Sequence, residues 1–442
     1  MTAEAPATEP SATDFLALTP RDVDIAALQT LRHAGAERFR QVGLPGSQDE
    51  SWRFTNLKPL KQTHFHAPPE APPALGQEDI ANFLFPNPDG TVLVFIDGVE
   101  APDLIHRVDQ VPGLTLLPLA EAARKDEPQL LAHLGHHITV NESPFAALNA
   151  ATFDSGVFIH IEREACIKTP IVLLYISTAT DQPWVTQPRN LIVCDEASEV
   201  TVVEHHVSLH GGPALTNVVT EIDLAEGAVA CHYRVDEESD AAFHIATLGI
   251  HQAAQSRFES HCMLLGGGLV RNHIHPVLDG AGCHCLLNGL YVGNGRQHLD
   301  SHMRVDHVQP GCDSRQYYKG VLDDHARGVF SGRIHVTSAA QQTDAKQSNA
   351  TLLLSEDATN HAQPQLEIYA DDVKCTHGAT VGQIDDDAIF YLRARGIHPE
   401  AARAMMIYAH AAECLERMAV EPLRHMLSQR LLQKMPWNHG LG

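Results

Sequence analysis

Positive charge is scarce in this 442-residue chain. Thirty-one Lys and Arg stand against 55 Asp and Glu, a net charge of −24, which leaves no electrostatic footprint for DNA, RNA or an anionic membrane. No run of about 18 apolar residues occurs, so no membrane-spanning helix is predicted. The first residues, MTAEAPATEPSATDF, have neither a basic n-region nor an apolar h-region, and the expectation is a soluble, cytoplasmic protein. Cysteines number nine, an odd count spread from Cys166 to Cys414, which reads as reduced thiols rather than a disulfide framework. Also missing are a Gly-x-Ser-x-Gly elbow, a phosphate-binding Gly-x-x-x-x-Gly-Lys-Ser/Thr loop and a His-Glu-x-x-His helix. Those absences count against a serine hydrolase, an ATPase or a helix-borne zinc protease. The triple glycine Gly266 to Gly268 reads as a tight turn.

Histidine is abundant: there are 29, and 14 of them fall between His205 and His325. At 442 residues the chain is too long for one ordinary globular domain. Residues 1–66 read as an N-terminal helical region. Thr19-Pro20 is a plausible cap followed by proline at the first helical position, Gly43 and Gly46 are stops, and Trp52 and Phe54 need burial. Residues 67–155 read as a Pro-rich linker ("HAPPEAPPAL") leading to a mixed α/β region, with a strand in "TVLVFIDG" and a helical stretch around Leu116 to Leu134. From 156 to 384 short β-rich runs such as "PIVLLYIS", "NLIVCD", "EVTVVEHHVSL" and "RGVFSGRIHV" follow one another, separated by Gly, Asn, Asp and Ser. A sandwich or small barrel closes within roughly 100 to 150 residues, whereas a parallel β-helix keeps adding coils. The length therefore favours a solenoid. Residues 385–442 read as a C-terminal helical region: Asp385 to Asp387 cap a first helix that ends at Gly396, Pro399 starts a second, and a third lies around Pro422 to Leu432. In the second, Met405, Tyr408 and Leu415 recur at helical spacing.

Two clusters carry metal-ligating residue types. Cys375 and His377 follow "QLEIYADDV" at alternate positions, so on extended chain both look to one face. Two ligands are too few for a closed zinc site or an iron–sulfur cluster, each of which takes four. Either they are a small buried thiol and a turn residue, or the set is completed from elsewhere. "RNHIHPVLDGAGCHCLL" pairs His273 with His275 and Cys283 with Cys285, a Cys2His2 set in principle though not at zinc-finger spacing. That set would suit a stand-alone metal-dependent β-helix enzyme.

"LEIYADDVKCTHGATVGQIDDDAIFYLRARGI", "QQTDAKQSNATLLLS", "RNHIH" and "ESWRFTNL" together resemble the SufB/SufD family of the SUF iron–sulfur cluster assembly system. The resemblance runs from about residue 45 to 425. It falls on the SufD branch, because Ser348-Asn349 precede "ATLLL" where the SufB branch has a cysteine, and Cys375 to Thr380 replace a Glu-His-Glu-Ala-Thr segment. It implies a mainly β fold with a right-handed parallel β-helix core between N- and C-terminal helical regions. It further implies a non-catalytic scaffold subunit that pairs β-helix to β-helix with SufB and receives the ATPase SufC on its C-terminal helices. ATP-driven movement of SufC would then strain the β-helix ends. By the same resemblance His377, with Cys375 beside it, serves a nascent Fe–S cluster shared with SufB, and the chain alone holds no metal or cofactor. A homodimer of the isolated chain and a reduced flavin in the complex are both compatible with it. Phe390, Tyr391, Met405, Met406 and Tyr408 are the expected SufC contacts.

Overall fold

The computed structural model describes residues 12–18, 25–46, 48–87, 89–106, 111–153 and 155–434; the Thr19-Pro20 cap lies outside them. Two long parallel sheets face each other, as in a mainly β solenoid. Sheet I runs, in spatial order, through Val99–Glu100, Val92–Ile96, Ile171–Ser177, Glu199–Ser208, Val229–Glu237, Arg257–Leu264, His284–Gly293, Asp313–Leu322, Thr343–Leu353 and Val373–Gly382. Sheet II runs through Leu114–Pro118, Val157–Ile161, Arg189–Cys194, Ala214–Leu224, Phe243–Gln252, Leu269–Leu278, His298–His307, Arg327–Val336 and Thr359–Ile368. The chain alternates between them, so each coil adds one strand to each sheet and lies in register on the coil before. Val229 sits beside Arg257, Arg257 beside His284, and His284 beside Asp313.

The coils turn at a repeated position. Glu164, Ala197, Gly227, Gln255, Gly282, Gly311 and Gln342 all have φ between 55° and 74°, a left-handed conformation that costs other residues more than glycine. Each left-handed amide donates to the next coil, Gly227 N to Ala254 O at 2.9 Å and Gln255 N to Ala281 O at 2.9 Å. The turns therefore stack as the strands do. Alternate side chains point inward, where Leu173, Ile192, Ile222, Leu248, Phe258, Leu287, Tyr318 and Phe330 build one continuous core.

The N-terminal helix Ala26–Val42 stops at Gly43, whose φ is 61°. It packs on helix Pro144–Thr152 so closely that a side chain at Gly35 would meet Ala151 N at 2.6 Å. Trp52 is buried against Phe145, with the Arg271 guanidinium 3.9 Å over its ring. Arg271 Nη1 bonds Asp300 Oδ2 at 2.7 Å, and Thr55 donates to the same oxygen. "ESWRFTNL" and "RNHIH", far apart in the chain, thus form one joint between N-terminal region and solenoid. Phe54, half-buried, stacks on His361.

Helices Pro399–Leu415 and Glu421–Lys434 fold back along the outside of sheet I, and Asp386–Arg393 packs on Pro399–Leu415. Ile407, Ala411, Cys414, Leu415, Leu423, Leu427 and Leu431 pack there with Tyr233, Val235, Met263, Leu290 and Val321. The buried face of Pro399–Leu415 is thus built on Ile407, Ala411, Cys414 and Leu415; of the Met405, Tyr408 and Leu415 spacing, Leu415 is buried and Tyr408 half-buried there, while Met405 is exposed. Small residues serve because the backbones approach closely: Cys414 Sγ lies 3.2 Å from Gly289 O, and Asn288 Nδ2 donates to Cys414 O at 2.8 Å.

Candidate functional site at the open end of the solenoid

Cys375 and His377 lie on Val373–Gly382, the last strand of sheet I, and not beyond a strand as the hydrophobic pattern implies. Its inner neighbour is Thr343–Leu353, and its outer edge has no neighbour among the described residues. The last strand of sheet II, Thr359–Ile368, is likewise an edge. The two edges frame an open mouth of the lumen.

In-register stacking sets the direction of each side chain. Cys375 stands on Ala345, which is fully buried, and packs with Ile334, Val336, Ala340 and Ala370. His377 stands on Gln347. Gln347 is buried and donates from Nε2 to Gln316 Oε1 at 2.7 Å, while its own Oε1 has no hydrogen-bond partner among the described residues. Cys375 and His377 thus share the inward face, Cys375 half-buried and His377 exposed. Burial pushes the Cys375 thiol up; an Ala345 backbone hydrogen bond opposes this and Asp344 adds to it. The isolated chain therefore offers a protonated thiol and an imidazole on a bare edge.

On the helices, Phe390 is 70 % and Tyr391 58 % exposed, and Met405 is also exposed. Met406 and Tyr408 are half-buried, Tyr408 against the sheet I packing. Asp385 caps the first of these helices, accepting from Asp387 N at 2.9 Å.

The structure does not bring the other predicted set together. His273 and His275 lie on the outer wall of sheet II, where His275 pairs with Asp306 at 2.9 Å and Glu142 at 3.4 Å. Cys283 and Cys285 are fully buried in the core, Cys283 among Gly280 O, Ala253 O and Ser256. Alternation holds within each pair, but the pairs face opposite sides of the wall.

One feature has no signal in the hydrophobic pattern: a charged patch inside the lumen. Glu204, His206, Arg234, Asp236, Glu238 and His244 are all buried. His244 Nδ1 bonds Glu238 Oε2 at 2.6 Å, and its Nε2 meets Arg234. Burial works to raise Glu204, yet His206 and His232 hold it well below the usual carboxylate range. Burial holds His206 and His244 down at about 3. The only sequence trace is charge inside apolar runs, as in "TVVEHHV" and "CHYRVDE".

A parallel β-solenoid with helical regions before and after it, open at one end, defines the class. Residues 175–410 match the family described as SUF system FeS cluster assembly, SufBD core domain, and residues 21–173 match the SufBD protein N-terminal region. The chain is 33 % identical over 406 residues to an iron–sulfur cluster assembly SufBD family protein of Synechocystis, covering 90 % of this chain and 89 % of that one. It is 32 % identical to the iron–sulfur cluster assembly protein SufD of Escherichia coli, over 90 % of this chain and 91 % of the relative. To SufD of Bacillus subtilis it is 26 % identical, over 93 % and 94 %. The chain belongs to the SufBD family of iron–sulfur cluster assembly proteins, and SufD proteins are among its homologues. Among the described residues no helix is long and apolar enough to cross a membrane.

Proposed function

We propose that this chain is the SufD-type scaffold subunit of a SUF assembly complex, and that a SufB-type subunit closes its open end. The observation that carries this reading is the bare terminal coil. Among the described residues, two edge strands and their lumen-facing side chains, Cys375 and His377 among them, stand without the neighbour that every inner coil has. An edge of this kind is a template for strand pairing. Paired there, the partner supplies the donors this chain lacks, and the nascent Fe–S cluster is held as cargo at the seam. Imidazole can replace thiolate on iron. The unpartnered Gln347 Oε1 beneath His377 suits it to accept one ring N–H, leaving the other nitrogen for iron. Cys375, its thiol pushed up, becomes a ligand only when metal displaces its proton.

The exposed Phe390, Tyr391 and Met405 form the docking surface for a SufC-type ATPase, which supplies the chemistry of ATP hydrolysis; this chain is a non-catalytic lever. The lever has a physical path. Glu413 pairs with Lys319 at 2.7 Å, and Arg403 Nη2 bonds Leu354 O at 3.1 Å. A pull on the helices therefore reaches the last strands of sheet I.

The test is co-expression with SufB- and SufC-type subunits, followed by anaerobic cluster reconstitution. His377→Ala is expected to leave the complex assembled and to lose the cluster's visible absorption. A His377→Ala complex that reconstitutes at the wild-type level would reduce the chain to a passive adaptor.

A further inference from the structure

Far from the open mouth, on the outer wall of sheet II, three imidazoles converge on one carboxylate. Asp223 lies near the end of strand Ala214–Leu224, and His251, one coil on, is its direct register partner. His251 Nδ1 is 2.8 Å from Asp223 Oδ1. From the N-terminal region, His137 Nε2 reaches to 3.1 Å of Asp223 Oδ1 and His133 Nδ1 to 3.5 Å of Asp223 Oδ2. His137 and His251 stack, with ring centroids 5.4 Å apart and planes within 6°. His137 Nε2 is buried and makes no hydrogen bond, although the carboxylate is so near.

The site is held from behind. Glu221, on the same strand and the same face as Asp223, is fully buried and paired with Arg189 Nη2 at 2.5 Å. Its carboxylate accepts the backbone N–H groups of Gly135 at 3.0 Å, His137 at 3.0 Å and Ile138 at 3.1 Å. Gly135 takes the φ of 82° that turns the chain between the two histidines. The loop that carries His137 is therefore fixed to the strand that carries Asp223.

We propose that His133, His137, His251 and Asp223 form a binding site for a divalent transition metal of the zinc class. One ligand atom each of His133, His137 and Asp223 falls within 4.8 Å of the other two, a pre-formed set of three; His251, which touches Asp223 but lies outside that set, closes on the ion as the fourth ligand of a tetrahedron with metal bonds of about 2.0–2.1 Å. Three nitrogens and one carboxylate select zinc, cobalt or nickel over calcium or magnesium, which take oxygen. An outer partner is present as well: Asp279 Oδ2 lies 3.6 Å from His251 Nε2, the ring nitrogen turned away from the cluster, where a carboxylate orients a metal-bound histidine. Two other groupings are less available. In the lumen, His244 Nε2 is occupied by Arg234, and near Cys231 the Glu259 carboxylate is taken by Arg257 at 2.6 Å. Bound here, the ion clamps the segment 133–137 to the solenoid wall, away from the cluster-building end.

Titration of the metal-free full-length chain with Co(II), read by the visible bands of tetrahedral cobalt and competed with Zn(II), tests the site. Wild type is expected to take up one such equivalent and to gain thermal stability with Zn(II). Asp279→Asn should weaken binding by about 10–100-fold, and His251→Ala and Asp223→Asn by more. His273→Ala, in the neighbouring His–carboxylate pair, should bind as wild type does. If Asp223→Asn fails to fold, His251→Gln carries the same test. Absence of a tetrahedral cobalt spectrum in the wild type, or wild-type affinity in His251→Ala and Asp279→Asn, overturns the proposal and leaves a proton-sharing cluster only.

Discussion

At the N-terminal end of the solenoid the stack is shut by the chain itself, and at the C-terminal end no described residue closes it. Sheet I begins with Val99–Glu100 folded antiparallel on Val92–Ile96, and sheet II with Leu114–Pro118 antiparallel to Val157–Ile161. Ile105, Val111, Leu114 and Leu116 pack against the first coils of the core. At the far end no residue of Thr359–Ile368 or Val373–Gly382 is buried, the latter strand is largely exposed, and Ile368 and Val381 are 37 % and 44 % accessible. An unprotected parallel edge invites pairing with another chain, and closure by antiparallel strands is one way to prevent it. The contrast teaches that the fold has the means to cap a stack and, among the described residues, uses it at one end and leaves the other available for pairing.

The sharpest way to break the comparison is to put a charge at each end. Phe95→Glu, which buries a carboxylate beside Tyr175 in the closed core, should cost more than about 4 kcal/mol and leave little folded protein by circular dichroism. Ile368→Glu with Val381→Glu should leave the isolated chain folded and abolish its co-elution with a SufB-type partner on size exclusion. Thiol labelling separates the ends next. Cys375 should alkylate in the folded chain, slowly because its pKa is raised, and become protected in the complex. Cys285, whose pKa burial also raises, should react only after unfolding.

The wall between the two ends has a pH signature. Burial works to lower the pKa of His275, but Asp306 and Glu142 outweigh it and hold it at about 9 rather than 6.5. A raised folded-state pKa stabilises fully below 6.5 and is lost as pH rises through 9. The thermal midpoint should fall over that window, and His275→Gln should flatten the slope. The smallest effect concerns the turn ladder. Gly282→Ala, with no atom closer than 3.8 Å to the new methyl group, should cost about 1 kcal/mol from its left-handed φ alone. Gln255→Gly should shift stability upward by less than that, both measured by urea unfolding.

Much of this was legible in the chain. "PIVLLYIS" and "NLIVCD" read as strands because both faces of a parallel sheet are covered. The caps Asp385, Pro399 and Gly43 stand where local chemistry requires them. "RFESHCML", "DSRQYYKGVL" and "VKCTHGATVG" did not read as strands, because their hold comes from the coils above and below and their inward positions take Gln316, Cys375 and His377. His133 and His137 show an i, i+4 spacing, but Asp223 and His251 join them only through the winding of coils. The five residues expected to meet the ATPase divide for a related reason. Phe390, Tyr391 and Met405 are exposed, Tyr391 under the Arg395 guanidinium, while Met406 and Tyr408 are half-buried, Tyr408 drawn toward the wall by Ile407 and Ala411.

The helices that return along sheet I set an order of events during synthesis. Tyr233 OH accepts from Ala419 N at 3.0 Å, and Arg430 reaches both Glu237, at 3.4 Å, and the carbonyl of Asn82. These contacts join a segment translated late to surfaces translated far earlier. A nascent chain emerging from the ribosome therefore displays the apolar flank of Tyr233, Met263 and Leu290 until the helix Glu421–Lys434 has been made. During that interval the growing solenoid is open to aggregation, and a holding chaperone would have its natural target there.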